Sequence, residues 1–125
     1  MDYELVNIQK IESYSSKIDV INALIEKENY TNAMKAVRAL IEATGLVVLR
    51  KEYNVKSINS RLSWIATELF ENGDEFLGNY FNDINGTLNY IYENDEIEKE
   101  DIQDMLLKLD DLVGNVEVRY KGIFS

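Results

Sequence analysis

An all-α fold, an antiparallel bundle of four to five helices, is predicted by three features of this 125-residue chain. Apolar residues recur at three- and four-residue steps along most of its length, the period of one helix face. Proline is absent, which leaves long helices uninterrupted. No segment alternates apolar with polar residues as a half-buried strand must. No repeat or low-complexity linker divides the chain, so a single domain over residues 1–125 is expected. A chain of this length buries roughly two-thirds of its unfolded surface, enough for one core.

The first helix is expected from about Tyr3 to Glu28, where Leu5, Ile8, Ile11, Ser15, Ile18, Ile21 and Ile25 form one stripe. Glu28-Asn29-Tyr30-Thr31-Asn32 interrupts it and offers Asn29 or Thr31 as the next N-cap. A second helix then runs to about Tyr53, with Ala33, Met34, Val37, Leu40, Ile41, Thr44 and Val48 facing inward. Gly45-Leu46-Val47-Val48-Leu49 is apolar all round, so this helix should be the most buried. Gly45 costs a helix about 1 kcal/mol relative to Ala, and close approach of a neighbouring helix is the expected reason.

Ser57 is placed to cap a third, shorter helix marked by Ile58, Leu62, Ile65, Ala66, Leu69 and Phe70. Asn72-Gly73-Asp74 reads as a turn in which the glycine closes one helix and Asp74 caps the next. Leu77, Tyr80, Phe81, Ile84, Leu88 and Ile91 mark the fourth helix, which Gly78 and Gly86 are expected to bend or shorten. The last helix runs from about Ile97 to Val116 along Ile102, Met105, Leu106, Leu109, Leu112, Val113 and Val116.

Composition excludes much chemistry. With neither cysteine nor histidine, the chain has no disulfide, no thiol nucleophile, no Ser-His-Asp triad and no zinc or haem site built on those residues. No side chain has an unperturbed pKa near neutrality. No apolar run approaches about 18 residues. The opening Met1-Asp2-Tyr3-Glu4 lacks the basic and apolar blocks of a signal peptide. A cytoplasmic location and no membrane association are therefore expected.

The charge is lopsided. Residues 1–67 carry 9 Lys/Arg and 8 Asp/Glu, whereas residues 68–125 carry 4 and 15. From Glu93 to Asp111 there are 9 acids, opposed only by Lys99 and Lys108. A surface this acidic repels phosphate backbones, so direct nucleic-acid binding is not expected. It is a solvated face that keeps the protein soluble, or it docks a basic partner through Glu96, Glu98, Glu100, Asp101 and Asp104, or the acidic half of one copy meets the near-neutral half of another. The second alternative describes an acidic inhibitor or immunity protein, able to mimic nucleic-acid charge.

Local patterns that resemble sites yield to simpler readings. Asn82-Asp83-Ile84-Asn85-Gly86 suggests a calcium loop, but Gly86 at loop position six puts Phe81 at position one and Tyr92 at twelve. Neither is a carboxylate, so no metal site is expected. Glu98, Asp101 and Asp104, or Asp110 and Asp111, pair carboxylates in the most solvated segment, without the apolar pocket that separates an acid from a base. Asp101, Asp104 and Lys108 read as an exposed ridge with helical charge pairing. Tyr14, Tyr80 and Trp64 lie on or beside apolar stripes and are expected to pack in the core. Arg38 and Glu42, an i, i+4 pair beside a buried face, read as a boundary salt bridge, with a ligand-anchoring guanidinium as the alternative.

The stretch Tyr30-Thr31-Asn32-Ala33-Met34-Lys35-Ala36-Val37-Arg38-Ala39-Leu40-Ile41-Glu42 resembles the early helix of prokaryotic HEPN domains, an Ala-rich run followed by Arg, three spacers and Glu. A shorter helix from Arg61 to Phe70, a turn at Gly73, a helix holding Asn82-Asp83-Ile84-Asn85-Gly86-Thr87-Leu88-Asn89-Tyr90 and an acidic final helix from Glu96 to Val113 follow in the family's order. The resemblance covers about residues 30–113 and rests on the order and spacing of elements. It implies a helical bundle that pairs with a second copy across a cleft, here through Asn82, Asn85 and Asn89, in toxin–antitoxin, phage-defence or stress systems.

The departures bear on activity. Ribonuclease members of the family carry an Arg and a His on this helix; here Phe81 stands at the Arg position and Asn89 at the His position, and a one-residue slip puts Asn82 at the Arg. An asparagine cannot transfer a proton near neutral pH. No catalytic residue, cofactor or enzymatic activity is expected, and the expected role is binding to a protein partner or to a second copy as a homodimer.

Overall fold

The computed structural model describes residues 13–50, 58–94 and 96–120. These form five helices: α1 (Tyr14–Glu26), α2 (Tyr30–Leu49), α3 (Ile58–Glu71), α4 (Glu75–Glu93) and α5 (Lys99–Arg119). Among the described residues no strand is present. The all-α bundle read from the periodicity is the observed fold. Leu5, Ile8, Ile11, Tyr53, Ser57 and the Ile58 side chain lie outside the described residues.

Helix α2 is the axis of the molecule, packed against α1, α3 and α5. Its buried residues run from Ala33 to Leu49 on nearly every side, as an all-round apolar segment requires. Gly45 is the point of closest approach: a Cβ there would lie 2.6 Å from Ile65 Cγ2 and 3.0 Å from the Phe81 ring. The helix ends earlier than the apolar pattern suggests, at Leu49, where Arg50 takes a left-handed conformation with φ 55°.

Helices α3 and α4 make the most intimate pair, joined by the expected turn. Gly73 has φ 87°, a conformation glycine adopts without Cβ strain, and the Asp74 N–H donates to the Leu69 carbonyl at 2.9 Å, closing α3. Asp74 then caps α4, its Oδ1 accepting from the Leu77 N–H at 3.2 Å. The expected early end of α4 does not occur, and the helix continues to Glu93. The glycines explain why. Gly78 lets the Phe70 ring of α3 lie where a Cβ would be 3.0 Å from it, and Gly86 faces open space. The first is a packing contact and the second is without structural demand.

Helix α5 is antiparallel to α4, its C-terminal end tied to the start of α4. Asp74 Oδ1 accepts from Arg119 Nη1 at 2.6 Å and Asp74 Oδ2 accepts from the Tyr120 hydroxyl at 2.8 Å. The N-terminal ends of α2 and α5 meet, since Tyr30 and Thr31 line one cleft with Glu96 to Glu100. Phe81, Met34, Ile41, Leu62, Leu77 and Ile102 are among the fully buried side chains of one shared core. Along their length, however, α4 and α5 barely touch, and that side of the bundle stays open.

Candidate functional site

Arg38 and Glu42 sit inside the core rather than at its boundary. Both are 4% exposed, and Arg38 Nε donates to Glu42 Oε2 at 3.0 Å. The other carboxylate oxygen, Oε1, lies 3.7 Å from Arg61 Nη1 on α3. The Arg38 guanidinium also stands over the Tyr92 ring of α4, 5.7 Å from its centroid. Buried charges persist only when paired, and here one carboxylate is shared by two guanidiniums while an aromatic face covers one of them. Helix spacing brings Arg38 to Glu42, but α3 and α4 supply the rest. This geometry fixes three helices relative to one another and corrects the boundary-salt-bridge expectation.

Arg61 and Tyr92 are the members the sequence reading missed. Arg61 stands four residues before Ile65, in line with the α3 stripe, and an arginine in that register was the available signal. Tyr92 carried none.

Asn82, Asn85 and Asn89 share one stripe of α4. Asn82 and Asn89 are exposed, and Asn85 is half-buried. The Asn85 Oδ1 is sealed from solvent with no hydrogen-bond partner. The calcium-like segment around Gly86 is continuous helix, and among the described residues no group of three or more carboxylates is placed to hold a metal ion.

The acidic residues divide into two kinds. Asp101 is half-buried and structural: its Oδ2 accepts from the Glu98 N–H at 2.9 Å, and with Glu100 it places negative charge in the first turn of α5, where the helix dipole favours it. Glu96, Glu98, Glu100 and Asp104 are exposed. Asp104 and Lys108 do not form an isolated ridge, because both line the opening between α4 and α5.

That opening is a groove of about 570 Å³. Ile84 and Ile91 of α4 lie on its floor, and Asp83, Asp101, Asp104 and Asp111 line it, with Lys108 as the one cation among the described residues that border it. Tyr90 and Leu107 also border it, and each is 69% exposed. At one end the Tyr80 hydroxyl lies 2.9 Å from both the Lys108 carbonyl and the Asp111 carboxylate. Burial, followed by the hydrogen bond to Asp111 and then the Asp111 charge, pushes the Tyr80 phenol well above its ordinary pKa, so it remains a hydrogen-bond donor. Tyr80 and Tyr14 are half-buried against the core, as is Trp64, in keeping with their expected packing role.

No described helix is long and apolar enough to cross a membrane. In comparisons with protein-family models, with curated proteins and with solved structures, nothing matches this chain.

Proposed function

We propose that this chain is a non-catalytic interaction and regulatory module, HEPN-like in its helix order, that acts in the bacterial cytoplasm by gripping another protein. The single observation behind this reading is the open α4–α5 groove. Its carboxylates would attract a basic partner, while the exposed Tyr90 and Leu107 offer the apolar area that a protein interface buries. The resemblance places such a module in a toxin–antitoxin, phage-defence or stress system. An acidic inhibitor or immunity protein blocking a basic site on its partner would use the same face.

The test is a photo-crosslinking residue at Leu107 in the native bacterium, with Val20, a 58% exposed position on α1, as its control. One discrete adduct at Leu107 and none at Val20 is expected. Equal yields at the two positions overturn the reading.

A second reading, self-association through Asn82, Asn85 and Asn89, is favoured by the exposed Asn82 and Asn89 amides, which line up on one stripe where a second copy could exchange hydrogen bonds with them. The resulting homodimer would leave the groove free, because the asparagine stripe and the groove lie on different sides of α4.

A further inference from the structure

The partner face has a chemistry that selects among basic partners. Helices α4 and α5 run antiparallel in a register set by the contacts of Tyr80 with Lys108 and Asp111, and of Asp74 with Arg119. Extended along the groove, that register puts Leu107 across from Asp83, and Tyr90 across from Asp101. The exposed apolar side chains thus share the borders of the groove with carboxylates, over an apolar floor of Ile84 and Ile91.

We propose that the α4–α5 groove takes a cationic amphipathic helix of a partner protein. Its apolar stripe would cover Tyr90 and Leu107, and its lysines or arginines would meet Asp83 and Asp104. A phosphate-mimicking surface needs charge alone and gains nothing from exposing a leucine and a tyrosine. An apolar partner helix would leave the carboxylates desolvated and unpaired, which is costly. Only a helix carrying both chemistries satisfies both sets of residues. The length fits as well, since the ten residue steps from Asp101 to Asp111 span about 15 Å, roughly three turns of the incoming helix.

This inference rests on the groove being the partner face, and the experiment separates the two. The full chain is titrated with a fluorescent synthetic peptide of about 15 residues, Lys and Leu placed at i, i+3, i+4 and i+7 along one stripe. The control is the same composition scrambled so that no stripe forms. The ordered peptide is expected to bind at least about tenfold more tightly than the scrambled one, and to weaken about tenfold as salt rises from low to several hundred millimolar. Leu107→Ala, and separately Asp83→Asn with Asp104→Asn, should each weaken it several-fold, whereas Val20→Ala should not. All these side chains are exposed, and circular dichroism checks that each variant keeps its helix content. Equal affinity for the two peptides, or indifference to both groove variants, overturns the proposal. If the Leu107 crosslink still forms in that case, the groove remains the partner face and only the helical, cationic occupant is refuted.

Discussion

At the scale of single residues, two glycines on neighbouring helices predict opposite outcomes for the same substitution. Gly45→Ala would drive a methyl to 2.6 Å from Ile65 Cγ2. Overpacking of that kind costs about 1–3 kcal/mol and exceeds the roughly 1 kcal/mol gained in helix propensity, so thermal unfolding should come at lower temperature. Gly86→Ala meets nothing within 4 Å and should stabilise α4 by about 0.5–1 kcal/mol, visible as a higher midpoint in urea. Asp74 supplies a pH test. Burial alone would raise its pKa, but hydrogen bonds from the Leu77 N–H, Tyr120 and Arg119, with the Arg119 charge, hold it below the ordinary carboxylate range. Its folded pKa is therefore lower than its unfolded one, and its stabilisation is complete above about pH 4 and lost as pH falls further. Asp74→Asn keeps a competent cap but removes the charge, and should cost about 1–2 kcal/mol at pH 7. The gap from wild type should close on acid titration followed by circular dichroism. Gly45 as a contact and Asp74 as a cap were both legible in the sequence, because each is a local rule.

At the scale of elements, the buried Arg38–Glu42–Arg61 cluster governs how α2, α3 and α4 meet. Glu42→Gln removes the carboxylate between the buried Arg38 guanidinium and the half-buried Arg61 one, and breaking a buried pair in this way costs about 3–5 kcal/mol. Chemical denaturation should show the loss in full, whereas Glu96→Gln, on an exposed carboxylate, should be nearly silent. Helix spacing made Arg38 and Glu42 recognisable as a pair. Their burial was not recognisable, because it depends on Arg61 and Tyr92 arriving from helices distant in the chain. The same limit explains α4. Gly78 and Gly86 look alike in a sequence window, yet one accommodates Phe70 and the other faces open space. Asp101 illustrates the converse: its place three residues after Glu98 is a readable helix-start signal, and it turns part of the acidic run into capping chemistry.

For the whole molecule, the uneven charge and the unclosed side of the bundle coincide. Light scattering at high micromolar concentration is expected to report a dimer held by the asparagine stripe of α4, with Asn89→Arg, at an exposed position, shifting it to monomer through charge repulsion. A dimer of this kind should resist salt, whereas partner binding at the acidic groove should weaken steeply with it. The two interfaces can thus be told apart in one salt series. A monomer at all concentrations removes the self-association reading and leaves the groove untouched.

The sequence by itself determined the helices, most of their apolar faces, the Gly73–Asp74 turn and the concentration of acid in the second half. These follow from interactions within a few residues: periodicity, capping and composition. Tertiary structure alone decided that Arg38 and Glu42 lie in the core beside Arg61, that Gly86 leaves α4 unbroken, and that α4 and α5 stand apart. Each depends on which helix lies beside which, a choice settled by the shape complementarity of whole faces, with Gly45 and Gly78 admitting the closest neighbours. The groove is what remains where no such neighbour was supplied.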